Sequence, residues 1–596
     1  MQEMESVWLT IVRDFTAVRS GGFAAAWNLL GALCTLGARW ILPPLAALIL
    51  LRCALPLWAG RKKAEPCGCL LLPNGERLPL LRWENSIGRS RLCDVVIGFP
   101  FISRTHAVLA FSRGGWRVSD IQSRGGVAVN GEKVEGSAPI EPGDELSLAG
   151  LKMTLRGPES AAFSGRDAPP ARVIRPETTL LLILLFQALC GLELCFSLPN
   201  GFASAVPPVW GLFLTLEILH GLLLRRSGRL YFELEMLAYF LCGLGLCVGA
   251  SAKPSALPRQ LAAIALGVLA FTALSLLIGN PGRARQLRYI FAGAALVLMA
   301  LNLIFGQMRN GARNWIDLGG VTVQPMEFVK VAFVLAGAAT LDRLLTARNL
   351  TAFLLFSGAC IGTLAVTRDF GTALVFFCAY LVIAFLRSGD VRTLALIAGG
   401  AVLGGGAVIS FIPYVHARFA AWGHVWQYAD SSGYQQTRTM IAIASGGLLG
   451  LGGGNGYLAK IGAASTDLVF GVVCEEWGLL IGLLAVLVLV LFAAFALSSV
   501  GSCRSSLYSI AACGACAIFL TQTALNVFGS VDILPLTGVT FPFVSCGGSS
   551  IVTCWCLLAF VKSTDARFRP AQAAWRRTWR RRAEEPEIRG SGEETL

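Results

Sequence analysis

Charged side chains are scarce in this chain. Asp, Glu, Lys and Arg make up 14% of its 596 residues, whereas hydrophobic residues make up 55% and the mean hydropathy is +0.64. An average soluble domain contains about 25% charged residues, so this composition excludes an ordinary soluble protein. It predicts a membrane protein whose chain crosses the bilayer many times.

Acidic residues are scarcer than basic ones, and the net charge is +14. Such an excess could indicate a nucleic-acid-binding protein. The basic residues, however, gather at the ends of apolar runs, as at residues 61–63, 225–226 and 576–582. Clusters of this kind are typical of the cytoplasmic loops of membrane proteins, so we expect no nucleic acid partner.

Signs of several other protein classes are missing. Most of the 18 cysteines lie inside apolar runs, and Cys67 and Cys69 have no second pair at zinc-site spacing. No cleavable signal peptide is evident, and there is no clear internal repeat of the kind that many transporters have. No cofactor is indicated, and because no cluster of metal ligands is visible, the need for a divalent cation stays open.

Apolar runs predict membrane spans through most of the chain. An early apolar stretch, residues 23–58, is interrupted by Arg39, Pro43 and Pro44 and predicts one tilted helix or a helix with a re-entrant piece. Later spans are predicted near residues 179–198, 207–224, 230–251, 260–279, 288–305, 326–344, 350–367, 371–387, 393–413, 467–498, 507–529 and 544–561.

Residues 66–157 follow a different pattern. Short segments of alternating polarity are separated by turn signals such as Asn74-Gly75 and Asn130-Gly131, which predicts a small all-β sandwich. The predicted fold class is therefore a mainly α polytopic membrane protein with a small β domain. The predicted divisions are an N-terminal membrane segment at 1–60, the sandwich at 66–157, a linker at 158–178, an added transmembrane hairpin at 179–225, a membrane domain at 230–562 and a basic tail at 563–596.

The basic clusters also predict the topology. They place the sandwich and the C-terminal tail in the cytoplasm, and residues 306–325, 414–466 and 531–543 outside. Asp369, between the apolar runs 350–366 and 370–386, falls on the outer side as well. A carboxylate at the edge of the hydrocarbon layer is costly, so we interpret it as functional. The alternatives are an ion pair with Arg368 or a helix cap.

Further polar motifs share the predicted outer side. Glu327 and Lys330 lie three residues apart at the start of a span, and form either a substrate site or an ion pair within one helix. The glycine-rich segment 433–456 would let backbone amides approach a phosphate, although this signal alone is weak. Ser545 and Ser549, in the last outer loop, are either ligands or helix caps.

Together these motifs resemble the SEDS family of peptidoglycan polymerases, of the RodA, FtsW and SpoVE type. The likeness covers residues 230–562 and rests on Asn-Trp-Ile at 314–316, Asp-Phe-Gly-Thr-Ala at 369–373, Gly-Tyr-Gln at 433–435, Thr-Asp at 466–467 and Pro-Phe-Val-Ser-Cys-Gly-Gly-Ser-Ser at 542–550. The resemblance implies a core of ten helices with a groove that opens outward and toward lipid.

The resemblance also implies an activity. The protein would join lipid II units into glycan strands outside the bacterial cytoplasmic membrane by an inverting displacement, beside a class B penicillin-binding protein as transpeptidase. Asp369 falls on the family's essential aspartate and would act as general base. The residues expected to bind substrate are Arg313, Glu327, Lys330, Arg368, Arg418, Tyr434, Gln435, Arg438, Thr466, Asp467, Ser545 and Ser549.

Some positions depart from the family pattern. Met326 replaces a usual Ser, Arg438 a Gln, Ser465 a His and Cys546 a Tyr. Two alternatives therefore remain, namely a flippase for lipid-linked precursors and a scaffold of a division or spore-wall complex whose chemistry has decayed. Asp369 separates them from the polymerase, because neither needs a general base there.

The sandwich resembles a forkhead-associated (FHA) domain, through Gly88-Arg89, through Ser103 and His106 in a Ser-x-x-His motif, and through Asn130-Gly131. The resemblance implies that Arg89 and Ser103, with Arg104 nearby, hold a phosphothreonine of a partner protein, while His106 is structural. The family's Asn that binds the peptide backbone is Gly125 here. We therefore expect weak binding that improves in Gly125→Asn.

The predicted topology can be tested by cysteine labelling from outside the cell. In a cysteine-free background, a single cysteine at position 432 should react with a membrane-impermeant reagent, and one at position 137 should not, because the basic clusters keep the sandwich inside. Labelling at position 137 without labelling at 432 would invert the topology and remove the polymerase interpretation.

Overall fold

The computed structural model describes residues 23–565 with short gaps. The gaps are residues 60–65, 83, 91–92, 113–114, 122, 158–175, 199–203, 228–230, 280, 310, 318, 320–321, 342–346, 389–390, 501–502 and 504. The predicted linker lies almost wholly outside the described residues, as do residues 1–22 and most of the predicted tail.

The helices confirm a mainly α fold. They are α1 (Phe23–Ala59), α2 (Pro176–Ser197), α3 (Val206–Arg226), α4 (Glu233–Ala252), α5 (Leu257–Leu277), α6 (Pro281–Phe305), α7 (Pro325–Leu341), α8 (Ala347–Val366), α9 (Phe370–Ser388), α10 (Val391–Phe411), α11 (Pro413–Ala421), α12 (Tyr434–Gly446), α13 (Val469–Trp477), α14 (Leu479–Val500), α15 (Ser506–Ser530) and α16 (Gly548–Ser563). In the described ranges nine helices are long and apolar enough to cross a membrane.

The β domain is a sandwich of two sheets, as predicted. Its strands are β1 (Gly68–Leu71), β2 (Arg77–Leu80), β3 (Glu84–Gly88), β4 (Val95–Val96), β5 (Ala107–Ser112), β6 (Gly115–Asp120), β7 (Val127–Val129), β8 (Glu132–Lys133), β9 (Ser137–Ile140), β10 (Glu145–Leu148) and β11 (Leu151–Arg156). One sheet has the order β2-β1-β11-β10-β7-β8 and the other β4-β3-β5-β6-β9. Their facing side chains, such as Leu109 and Leu146, form a core separate from that of the membrane helices.

The early apolar stretch forms the single helix α1, the first of its two predicted alternatives, despite its internal prolines. The span predicted at 467–498 is divided into α13 and α14 at Gly478, which has a φ of 94°. A Cβ at Gly478 would lie 2.4 Å from the Leu448 carbonyl oxygen, so the break depends on a close approach to another part of the chain.

The predicted outer segments contain regular secondary structure. Residues 306–325 contain the antiparallel strands β12 (Gln307–Arg309), β13 (Ala312–Asp317) and β14 (Thr322–Val323). We call β12 and β13 with their turn the outer hairpin. Residues 414–466 contain α12 and most of α11, so this long polar segment also has a regular backbone.

The first and last helices of the membrane domain are joined by a buried ion pair. The Lys562 Nζ on α16 lies 3.1 Å from an Oε2 of Glu235 on α4, and both side chains are buried. The same ammonium donates a hydrogen bond to the Tyr231 carbonyl oxygen. Both contacts run from the end of α16 to the start of α4, so they fix these two helices against each other.

The added N-terminal helices dock onto the glycine-rich segment. Arg39 of α1 donates to the Leu451 carbonyl oxygen at 2.6 Å, and the Glu193 carboxylate of α2 accepts from the Gly453 amide at 2.9 Å. The helices α2 and α3 are held together where Trp210 packs against Gly191, whose missing Cβ leaves room for the indole ring. These helices are therefore an integral part of the membrane domain's packing.

Candidate active site and phosphopeptide site

Asp369 occupies a tight turn between two helices. The Asp369 amide donates to the Leu364 carbonyl oxygen and the Arg368 amide to that of Ala365, with Arg368 at a φ of 61°. This pair of bonds around a left-handed residue is the Schellman motif that ends α8. A non-glycine residue in that conformation is uncommon, and here it aims the chain so that Asp369 begins the next helix.

The carboxylate also caps α9. Its Oδ1 accepts the Thr372 amide at 3.1 Å, which is the usual bond from an N-cap side chain to the third residue of a helix. The helix-cap alternative is thus correct for one oxygen. Within the described residues no ion pair joins Arg368 to Asp369, and the Arg368 side chain is exposed.

The other carboxylate oxygen is bound by the outer hairpin. The Asn314 side chain on β13 donates to Oδ2 of Asp369 at 2.7 Å, and both side chains are buried. The backbone amide of the neighbouring Arg313 donates to the carbonyl oxygen of Thr367 at 2.8 Å, and Thr367 directly precedes Arg368 in the turn. The hairpin is therefore fastened to the turn by its backbone, which positions the Asn314 amide against the carboxylate.

A second carboxylate lies nearby. Burial raises the pKa of Asp467 to about 6, and the Asp369 charge adds to the rise, whereas the Thr466 hydroxyl and the Arg418 guanidinium oppose it. Arg418 is held by a 2.9 Å bond to the Leu536 carbonyl oxygen. The structure thus brings Asp369, Asp467 and Arg418 together around one outer loop.

That outer loop is the segment 534–547. Its Val539 and Thr537 lie against Gly371, where a Cβ would come within 2.8 Å of a Val539 methyl group. The Asn526 side chain on α15 donates to the backbone oxygens of both Asp467 and Val539, at 2.9 and 2.8 Å. Asn526 therefore links the segment with Asp467 to the outer loop with Val539.

Ser545 and Thr466 are structural partners of each other. The Ser545 hydroxyl donates to the Thr466 carbonyl oxygen at 2.6 Å and accepts the Phe541 amide at 2.9 Å. Because Ser545 is buried and both roles are filled, the capping alternative describes it better than a substrate ligand. Ser549 lies half-buried in the first turn of α16.

The first two turns of α12 carry three more of the predicted ligands. The Arg438 guanidinium lies 5.3 Å from the centre of the exposed Tyr434 ring, in a cation–π contact. The Gln435 side chain makes a long bond, 3.5 Å, to the Gly462 carbonyl oxygen. Arg438 and Tyr434 thus present a charged and an aromatic group on one helix face.

Two predicted substrate contacts need correction. Glu327 and Lys330 form an ion pair of 2.7 Å within α7, with side chains only 4% and 2% exposed, so each satisfies the other and neither reaches solvent. Several amides of the glycine-rich segment are also already bonded within the protein. Those of Gly450, Leu451 and Gly452 donate to backbone carbonyl oxygens at 2.8 Å, and that of Gly453 donates to the Glu193 carboxylate.

In the sandwich, the predicted phosphothreonine ligands lie together. The Arg89 amide donates to the Ser103 carbonyl oxygen, and the amide of Ser90 to that of Arg104. Both arginine side chains are exposed. The Ser103 hydroxyl accepts the Arg124 amide at 3.1 Å, so its own proton can be donated to a ligand.

His106 is structural, as expected. It is fully buried, its Nδ1 accepts the Ser103 amide at 3.1 Å and its Nε2 lies 3.0 Å from the Gly126 carbonyl oxygen. These bonds require the proton on Nε2. The imidazole therefore fastens the loop with Ser103 to the loop with Gly126.

Comparisons with known proteins identify both parts of the chain. The FtsW, RodA and SpoVE family of cell cycle proteins matches residues 249–569, which is more than half of the chain, and the FHA domain family matches residues 85–149. The chain belongs to the FtsW/RodA/SpoVE family. It also carries an FHA domain.

Relatives within this family carry enzyme names. The chain is 32% identical to the "Probable peptidoglycan glycosyltransferase FtsW" of Bacillus subtilis, over 49% of this chain and 77% of that protein. It is 29% identical to the "Peptidoglycan glycosyltransferase RodA" of Mycobacterium tuberculosis, over 53% of this chain and 71% of that protein. The crystal structure of RodA from Thermus thermophilus is similar at 27% identity and a TM-score of 0.42, over 56% of this chain and 97% of that one.

Sequence reasoning selected Arg313 in this family member but missed its neighbour. Asn314 is the first residue of the Asn-Trp-Ile motif that carried the resemblance, and its place in that motif is the signal that would have pointed to it. In the described part of the chain, no group of three or more His, Cys, Asp or Glu side chains could hold a metal ion.

Gly125 overturns one expectation for the FHA domain. A Cβ at this position would lie 2.2 Å from the Cβ of Ala149 and 2.9 Å from its Cα. Ala149 itself has a φ of 48°. Ala149 therefore occupies the space that a side chain at position 125 would need, and an asparagine cannot be introduced there without displacing Ala149.

We expect Gly125→Asn to destabilise the FHA domain. Overpacking costs about 1–3 kcal/mol, which corresponds to a fall in Tm of roughly 5 °C or more for a domain of this size. The sandwich has its own core, so thermal unfolding of residues 66–157 measures this directly. Gly98→Asn is the matched control, since Gly98 is exposed with open space around its Cβ position. Equal Tm values for the two variants would contradict the steric explanation.

Proposed function

We propose that this protein polymerises lipid II outside the cytoplasmic membrane of a bacterium. The observation that supports this best is the buried Asp369 carboxylate, held between a helix turn and the outer hairpin in a member of a family whose relatives are named peptidoglycan glycosyltransferases. The FHA domain and the tail would then be cytoplasmic, as the basic clusters indicate. A class B penicillin-binding protein would cross-link the product.

In this proposal Asp369 is the general base. The acceptor's sugar 4-hydroxyl attacks the anomeric carbon of the donor, its proton passes to an Asp369 oxygen, and the bond to undecaprenyl pyrophosphate breaks. An α-linked donor then gives a β-1,4 product in one inverting step. Asn314 is a positioning residue, because its side-chain amide donates to Oδ2 of Asp369 and fixes the orientation of the carboxylate.

The leaving pyrophosphate needs positive charge. Arg368 is exposed beside Asp369, and Arg313 is exposed on the outer hairpin. Arg418 is half-buried and bonds the Leu536 carbonyl oxygen, and Arg438 is half-buried beside Tyr434 on α12. These guanidinium groups would stabilise the charge that develops on the pyrophosphate. Lys330 is not part of this set, because Glu327 already neutralises it in the protein interior.

We expect Asp369→Asn to lose at least a hundredfold in the rate of glycan synthesis. A general base contributes typically 10²–10⁴-fold, and an amide cannot accept the proton. Folding should be nearly normal, because Asn is as good an N-cap as Asp and keeps the bond to the Thr372 amide. The measurement is incubation of the purified protein with lipid II, followed by gel analysis of the glycan strands.

Asp430→Asn is the matched control for that experiment, since Asp430 is an exposed carboxylate in another outer segment. It should polymerise at the wild-type rate. Wild-type synthesis by the Asp369→Asn variant would show that the general-base assignment is wrong. The flippase and scaffold alternatives would gain if the wild-type protein moved or bound lipid II without joining it.

For the FHA domain we propose weak recognition of a phosphothreonine protein through Arg89 and Ser103, with Arg104 nearby. The Arg89 guanidinium donates to the Pro100 carbonyl oxygen at 3.2 Å, so it is already directed toward the loop that carries Ser103. An arginine can meet a phosphate with two parallel bonds. Without a side-chain amide at Gly125, the peptide backbone loses two bonds, and affinity falls by roughly tenfold or more.

Titration of the full-length protein with a phosphothreonine peptide library tests this second part. We expect modest binding that disappears in Arg89→Ala and persists in Arg117→Ala, because Arg117 is an exposed arginine on β6 that contacts Ser137 instead. If no phosphopeptide binds better than its unphosphorylated twin, the domain is a docking module of another kind.

A further inference from the structure

One helix extends from the FHA domain to the outer hairpin. The helix α6 has 25 residues, which gives it a length of about 37 Å. That length exceeds the hydrocarbon thickness of a typical bilayer, about 30 Å. The helix is therefore long enough to cross a membrane, and each of its ends makes a polar contact with a different functional part of the protein.

The inner end of α6 is paired with the sandwich. The Arg285 guanidinium forms an ion pair with the Glu84 carboxylate, and the two side chains are only 14% and 13% exposed. A partly buried charge pair is screened by salt much less than a surface pair. Three residues further on, the Arg288 guanidinium donates to the Ala339 carbonyl oxygen at 2.9 Å, which fastens the same end of α6 to the last turn of α7.

On the sandwich side, this ion pair and the phosphothreonine site share one strand. Glu84 is the first residue of β3, and Arg89 follows directly after its last residue, Gly88. The strand is an interior strand of its sheet, hydrogen-bonded to β5 along its length and to β4 at Ile87 and Gly88. A shift of Arg89 on ligand binding would therefore be carried by a stiff element to Glu84.

The outer end of α6 holds the hairpin that carries Asn314. The Asn302 side chain is fully buried, and its Nδ2 lies 3.5 Å from the Arg313 carbonyl oxygen. The Arg313 Nε donates in turn to the Gly306 carbonyl oxygen at 2.7 Å, just past the end of α6. The next residue is Asn314, whose amide contacts the Asp369 carboxylate.

We propose that α6 couples the FHA domain to the Asp369 site across the membrane. The Glu84–Arg285 pair keeps the inner end of α6 in the position at which its outer end supports the hairpin, so that Asn314 is held against Asp369. Release of the pair loosens the hairpin and slows polymerisation. The activity readout of this inference rests on the proposed function, whereas the coupling itself is a property of the fold.

The test uses the full-length protein with three changes at the ion pair and one control. Glu84→Gln and Arg285→Gln each remove one charge, and the double change Glu84→Arg with Arg285→Glu restores an ion pair with reversed signs. Arg283→Gln is the matched control, because Arg283 lies on the same helix end with an exposed side chain. Two quantities are measured, the rate of glycan synthesis from lipid II and the amide hydrogen exchange of residues 307–317.

Each single change should slow polymerisation at least threefold and speed exchange in the outer hairpin at least threefold. The reversed pair should recover most of both effects, and Arg283→Gln should show neither. Exchange in the buried strand β5 serves as the check that the sandwich still folds. Wild-type exchange of the hairpin in both single variants, with β5 protected, would overturn the coupling.

The two proposals fail in different ways. If the wild-type protein makes no glycan but the hairpin responds to the single changes and recovers in the reversed pair, the polymerase proposal fails and the coupling stands. If the protein makes glycan at the same rate in every variant and hairpin exchange does not change, the coupling fails and the polymerase proposal stands.

Discussion

The arrangement of the candidate active site depends on how the Asp369 carboxylate is bound. Asp369 is at once the residue after the Schellman turn of α8 and the N-cap of α9, so its backbone cannot move without disturbing two helices. Its remaining oxygen accepts the Asn314 amide from the outer hairpin. A charge that is buried must have such partners, and here they come from segments that the chain brings together only on folding.

The sequence predicts best those features that local patterns determine. Long apolar runs indicate helices, turn signals at short intervals indicate the sandwich, and a carboxylate between two spans is costly enough to indicate a function. The bond between Asn314 and Asp369 joins residues 55 positions apart, so no periodicity reports it. The break at Gly478 and the crowding at Gly125 likewise depend on Leu448 and Ala149, which approach from distant parts of the chain.

Burial in the folded protein, which the sequence does not report, explains why two groups of predicted substrate ligands do not face a substrate. Glu327 and Lys330 have the spacing of an ion pair and also the position of a substrate site, and only burial decides between the two. The glycine-rich segment has amides that suit an anion, but in the structure they donate to the Glu193 carboxylate and to the backbone oxygens of Glu475 and Glu476. In both places, buried polar groups of the chain are hydrogen-bonded to one another, as buried polar groups in folded proteins generally are.

The central claim is that Asp369 works as the general base and that Asn314 holds it in place. The most direct measurement is the steady-state kinetics of glycan synthesis from lipid II by Asn314→Leu. Loss of the Asn314 side-chain donor to Oδ2 should lower kcat roughly tenfold or more and leave KM for lipid II nearly unchanged, because Asn314 acts on the base and not on the substrate. A wild-type kcat in Asn314→Leu would contradict the account, because Asp369 would then not depend on the Asn314 amide.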